Sequence, residues 1–249
     1  MYFNDVHIMV YLVLGIVGGI LGQLIDWAAI RLPEYKKVFS KDIFSEYKKK
    51  FKPNYLLIVV NAAIYVLLLY KFGIQQDLFG NLDLIKYLIL SPMLLTVFLI
   101  DYRLQIIPNR LNLTIFETGL VITFIYGIFN LNMALDMLLG MVVGGGIFLL
   151  ITLIGGLIAG KEAMGFGDVK LMGALGLFFG FTNMIVISVI AFLVGAILSI
   201  LLLITKIKKT DEYIPFGPFI VIATFIVMFF PLGMLINLLL KIFTLGMYR

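Results

Sequence analysis

Cysteine is absent from the chain, and histidine occurs once, at His7. The first absence excludes disulfides and any thiolate zinc site, and the second leaves no imidazole cluster for a metal. No metal centre is therefore expected. Charge is scarce too: Asp, Glu, Lys and Arg make up 13% of the residues against 62% hydrophobic ones, and mean hydropathy is +1.12. That balance excludes an ordinary soluble domain and points to a polytopic membrane protein whose constant partner is the lipid bilayer. The net charge of +5 does not mark a nucleic-acid surface, because the basic residues concentrate in loops beside apolar runs, the pattern of membrane topology. No internal repeat and no low-complexity linker divides the chain, so residues 1–249 read as a single integral membrane domain.

What is present is a series of long apolar runs. A span takes about 20 apolar residues, and eight runs meet or approach that length: 8–30, 55–72, 85–100, 113–130, 135–158, 169–181, 184–205 and 217–240. The expected fold class is all-α, with about eight transmembrane helices. The first run lacks a basic n-region and a small-residue cleavage site, and it exceeds a signal-peptide core, so it reads as a retained helix. Connections alternate in charge. The 31–53 loop carries Arg31, Lys36, Lys37, Lys41, Lys48, Lys49, Lys50 and Lys52, and later odd-numbered connections add Arg103, Arg110, Lys161, Lys170, Lys206, Lys208 and Lys209. By the positive-inside rule these connections face the cytoplasm, both termini lie outside, and the protein is a multi-pass protein of the inner (cytoplasmic) membrane.

Against this apolar background two carboxylates stand out. Asp168 follows two glycines in Gly165-Phe166-Gly167-Asp168-Val169-Lys170, and Asp101 ends the run Phe98-Leu99-Ile100. Charge counting puts both at the cytoplasmic face. A carboxylate at membrane depth costs a few kcal/mol or more unless it is solvated, paired or protonated, so such residues are functional candidates. Each has a bland reading: Asp168 as the N-cap of the sixth helix, and Asp101 as an interfacial residue pairing with Arg103 or Arg110 before the turn at Pro108. Jointly they read differently. Two close carboxylates share one proton and split into an acid and a base; such a pair polarises an amide carbonyl while activating water, without a nucleophilic serine or a metal.

The sixth run, Val169 to Phe181, rises only about 20 Å as a helix, short of a hydrocarbon core of about 30 Å. Irregular backbone at that depth needs protein or water around it, so a wet cavity around Asp168 is expected. Glu117, about one turn inside the fourth run, is an accessory polar candidate. Asp136 reads as solvated at the outer edge. Gln23 and Asp26 lie one turn apart at the cytoplasmic end of the first run and share a face, which makes Asp26 a second accessory candidate. Glycines four apart, among them Gly18/Gly22, Gly140/Gly144 and Gly176/Gly180, mark faces where helices approach closely.

The stretch Gly160-Lys161-Glu162-Ala163-Met164-Gly165-Phe166-Gly167-Asp168-Val169-Lys170-Leu171 resembles the GxGD block of bacterial type IV prepilin peptidases, intramembrane aspartic proteases. Three further blocks are similar to that family in the same order: Gly22 to Pro33 with its closing Arg31-Leu32-Pro33, Asp101-Tyr102-Arg103 followed by Ile107-Pro108-Asn109, and Ile214-Pro215-Phe216-Gly217-Pro218-Phe219. The resemblance covers about residues 18–220. It implies that Asp101 and Asp168 are the catalytic pair, with Gly165, Gly167, Lys170, Pro108 and Asn109 supporting the motifs and Glu162 a further accessory candidate.

It also implies a substrate, a prepilin or pseudopilin whose short basic leader is removed after a glycine at the cytoplasmic face. S-adenosylmethionine is the cofactor it implies for N-methylation of the new N-terminus; proteolysis needs none. The chain departs from the commoner pattern in lacking the two Cys-x-x-Cys pairs of the first cytoplasmic loop, so no zinc is expected. It also has Asp26 where the family usually has asparagine, and Gln23 where it often has serine. Two rival readings stay open from the residues alone: an ion- or proton-coupled transporter using the same carboxylates, which would usually show paired halves, and a non-catalytic assembly or anchoring protein.

Overall fold

The structure, a computed structural model, describes residues 2–3, 6–38, 53–159, 164–205 and 214–244. A short antiparallel pair, β1 (Tyr2–Phe3) and β2 (Val6–His7), precedes the helices α1 (Ile8–Arg31), α2 (Tyr55–Phe72), α3 (Leu78–Leu104), α4 (Asn109–Phe129), α5 (Leu131–Ala159), α6 (Phe166–Ile204), α7 (Gly217–Phe229) and α8 (Leu232–Phe243). Helices α1 to α6 are long and apolar enough to cross a membrane, as the all-α polytopic reading requires. The chain divides into two compact units: residues 1–104 with 108–111, and residues 105–107 with 112–249.

In the first unit α1 packs against α2 and α3. It starts where the His7 ring accepts the Met9 N–H (3.3 Å) and stops at Arg31-Leu32, because Pro33 has no N–H to continue it. Glycine brings α1 and α2 together: Gly22 lies against the Leu57 and Ile58 backbone, and Gly18 against Asn61, Ala62 and Tyr65. The order of these contacts makes the two helices antiparallel. Asn61 donates to the Gly18 carbonyl across this contact at 2.7 Å. Pro92 sits inside α3 and leaves the carbonyl four residues back, at Leu88, without its helical donor. The Tyr65 hydroxyl donates to that carbonyl at 2.7 Å, so a tyrosine of α2 repairs the ladder of α3.

The second unit is organised around α6. Its 39 residues are two helices joined at Gly180, whose φ of +75° and ψ of 179° are not helical. Both halves lie along α5: Gly176 and Gly180 meet Gly140, and one turn further along α5 Met172 and Met184 both meet Gly144. The halves therefore fold back on each other as a hairpin, which agrees with two adjacent runs, 169–181 and 184–205, rather than one long span. A Cβ on Gly176 would overlap the Gly140 backbone, so only glycine permits this approach. The break frees backbone groups, and side chains take them: Thr123 Oγ1 donates to the Leu177 carbonyl (3.1 Å), Asn183 Nδ2 to the Phe179 carbonyl (2.8 Å), and Asp136 Oδ1 accepts the Phe181 N–H (3.3 Å). Asp136 is thus a cap on the second half of α6, beyond its expected role as a solvated edge residue. Toward the other end of this half, Phe148, Phe192, Phe216 and Phe219 form an aromatic cluster with ring centroids 5.2 to 5.8 Å apart.

One expected span is corrected. Residues 217–240 do not form one helix; α7 has 13 residues and α8 has 12, separated at Phe230-Pro231. Pro231 removes an amide donor and forces Phe230 into extended backbone (φ −104°, ψ 146°). In α8 only Leu235 is buried, and Asn237 and Lys241, four residues apart, share a face. It is an amphipathic helix rather than the second half of a span.

Candidate active site

Asp101 belongs to the last turn of α3 and is 3% exposed. The helix ends three residues later, and Gln105, at φ +57°, turns the chain away. Pro108 follows, and its carbonyl accepts the Leu111 N–H (3.0 Å) as α4 begins at Asn109. The Pro-Asn pair after the first aspartate is therefore a helix-starting turn, with proline fixing the backbone ahead of the helix. Asn109 itself is exposed.

Asp168 belongs to the first turn of α6 and is 4% exposed. The residue capping this helix is Gly165, in extended backbone and with no side chain to cap with. Asp168 stands three positions inside, its N–H donating to the Gly165 carbonyl at 3.1 Å, so the N-cap reading of Asp168 is corrected. A carboxylate there meets the positive end of the helix dipole. Gly167 packs beside Ile107, where an added Cβ would come within 3.2 Å of the isoleucine Cβ. Its carbonyl accepts from Asn112 Nδ2 at 2.9 Å. Asn112 is buried one turn into α4; no signal in the sequence marks it, because it stands among the polar residues Asn109, Arg110 and Thr114 just ahead of the apolar run. Lys170 is exposed, two positions beyond Asp168.

Both aspartates are buried. An apolar groove of about 1050 Å³ runs between α1 and α2, lined by Gly15, Gly19, Ala62 and Ala63 among others. Glu117 is exposed on α4. Glu162 lies outside the described residues. Among the described residues no group of three His, Asp or Glu is placed to hold a metal ion.

The N-terminal block has a physical role in the first unit. Arg31, buried and stacked 5.0 Å from the Trp27 ring, donates from Nε to the Lys37 carbonyl at 2.9 Å, and Trp27 Nε1 donates to the Val38 carbonyl at 3.2 Å. Arg110 Nη1 donates to the Tyr35 carbonyl at 2.5 Å. Together they strap residues 35–38, the start of the basic loop, to the ends of α1 and α4. Asp26, half-buried on α1, accepts from Asn54 Nδ2 at 3.1 Å and pairs with Arg103 of α3 at 3.6 Å. Gln23 Oε1 accepts the Asn54 N–H at 3.0 Å. The expected shared face of Gln23 and Asp26 is thus a joint between helix ends.

The type IV leader peptidase family model matches residues 88–200. The chain is 33% identical over 175 residues, 70% of its length, to a Xanthomonas campestris pv. campestris protein named prepilin leader peptidase/N-methyltransferase, and covers 58% of that protein. Similar matches are to proteins of the same name from Escherichia coli, 35% over 135 residues covering 53% of this chain and 57% of the relative, and from Pseudomonas aeruginosa, 35% over 140 residues covering 56% and 47%. The chain therefore spans about half of the length of these relatives, or slightly more. No solved structure matches it, and the comparisons give the transporter reading no support. The segment matched by the type IV leader peptidase family model holds Asp101, Gly167 and Asp168 together with Ile107 and Asn112.

Proposed function

We propose that this chain is an intramembrane aspartic endopeptidase that removes the basic leader of type IV prepilins or pseudopilins at the cytoplasmic face of the inner membrane. The observation that carries the reading is the state of Asp101 and Asp168: each is buried at a helix end, and both fall within the family-matched segment. In this mechanism the pair shares one proton. The protonated carboxyl polarises the scissile carbonyl and the ionised one takes a proton from the attacking water, after which the acid serves the leaving amine. Asn112 and Ile107 support the Gly165-Gly167 turn that presents Asp168, and the Pro108-Asn109 turn closes the segment after Asp101.

The whole of residues 1–249 acts as one membrane peptidase domain, with both termini outside and the 31–53 loop in the cytoplasm, as the charge alternation supports. S-adenosylmethionine serves as methyl donor for the exposed N-terminus. The name N-methyltransferase borne by the relatives and the intact Arg31-Leu32-Pro33 strap support this second step. Co-expression with a type IV prepilin is the test. The wild type should give a leader-sized increase in mobility and each of D101N and D168N should give none; cleavage by either variant would overturn the aspartic mechanism.

A further inference from the structure

We propose that Asp26 is a positioning residue for Asp101, acting through Arg103; the role rests on Asp101 being catalytic as read above. Three helix ends of the first unit meet at this one carboxylate. Asn54 caps α2, with Oδ1 accepting the Leu57 N–H at 3.3 Å, while its backbone N–H is held by Gln23 and its Nδ2 by Asp26. From the other side, Arg103 Nη2 of α3 lies 3.6 Å from Asp26 Oδ1. The carboxylate thereby ties α1 to α2 and to the last turn of α3.

Arg103 comes two residues after Asp101, and two helical steps are about 200° of rotation. Holding Arg103 toward α1 consequently fixes Asp101 on the opposite side of α3. Beyond this turn α3 ends at Leu104 and the chain leaves at Gln105 with φ +57°. A terminal turn frays unless side chains hold it, and a catalytic carboxylate needs its geometry kept within a fraction of an ångström. The Asp26 side chain is 17% exposed and Arg103 47%, so the pair is partly screened and its contribution is modest.

The test uses the full chain in detergent with a leader-bearing type IV prepilin, measuring kcat and KM separately. D26N keeps an oxygen for Asn54 and removes only the charge. Its kcat should fall about two- to fivefold, the range of a half-exposed ion pair, with KM and melting temperature unchanged. R103Q should match it, and the double variant should be no slower than either single. An unchanged kcat in D26N, a loss confined to KM, or a double variant as slow as the product of the singles overturns the role. D101N separates the two readings. If D101N still cleaves, the catalytic assignment falls and the positioning role with it; if D101N is inactive while D26N is unimpaired, only the positioning role falls.

Discussion

Asn112 Nδ2 donates to the carbonyl of Gly167 at 2.9 Å, so a side chain of α4 holds the peptide unit that leads into Asp168. Replacing Asn112 with leucine leaves that carbonyl without its donor at a buried site, a cost of about 1–3 kcal/mol. The expected outcome is a lower melting temperature in detergent together with slower prepilin cleavage. A variant that melts lower and cleaves at the wild-type rate would detach Asn112 from the placement of Asp168.

The two aspartates should behave as one unit. D101N and D168N each remove cleavage, and the double variant should be no worse than either, because groups acting in one step are strongly non-additive. Membrane content of each variant, measured by immunoblot, should match wild type. Since Gly165 and not Asp168 is the helix cap, loss of activity in D168N cannot be assigned to loss of a cap.

The α6 hairpin turn has its own signature. D136A should destabilise the protein by about 1 kcal/mol, the usual cost of losing a capping carboxylate, while D136N stays close to wild type. G180A should cost more, about 1–3 kcal/mol for the left-handed backbone, and its Cβ would collide with the Asp136 carboxylate. Chemical or thermal unfolding in detergent ranks the three, and D136A indistinguishable from wild type would remove the cap from the account.

Tyr65 offers a test away from the site. Y65F removes the 2.7 Å hydroxyl donor of the Leu88 carbonyl beside Pro92 and leaves only the long contact from Ser91 Oγ at 3.5 Å; interhelical hydrogen bonds in membranes are worth about 0.6 to 2 kcal/mol. The same unfolding assay should register a loss of that size. In the double variant Y65F/P92A, where the helix regains its own donor, the loss should shrink.

Orientation and methylation are checked independently. Reporters fused within 31–53 and near Lys208 should report cytoplasm, and one after Gly80 the outside; the reversed pattern would overturn the sidedness of both aspartates. Cleavage should be insensitive to zinc chelators. Mass spectrometry of the processed pilin, with S-adenosylmethionine supplied, should find a methylated N-terminus, and an unmethylated one would remove that step.

Hydropathy located the early helices closely because their ends coincide with punctuation that physics makes visible: Pro33 after α1, Asn54 and Gly73 around α2. It failed over 217–240, where the side chains stay apolar through the break and only the missing amide of Pro231 ends the helix. The aspartates were legible because charge is rare in this chain. Asn112, Thr123 and Asp136 were not, since what each does depends on a backbone group far along the chain: the Gly167 carbonyl, the Leu177 carbonyl and the Phe181 amide. A polar residue in an apolar run announces that it has a task without naming its partner.

The hairpin of α6 bears on how the chain is made. Phe166–Ile204 contains only Asp168 and Lys170 as charged residues, and no polar loop separates its halves. A growing chain emerging from the ribosome thus offers the membrane 39 residues that insertion machinery could take as one overlong segment. What makes it fold back is waiting upstream: Thr123 and Asp136, the side chains that receive the opened turn, are synthesised before Gly180. Chains mature from the N-terminus onward, so α4 and α5 form the template on which the bend is set, and nascent chains lacking those two side chains should misinsert after α5.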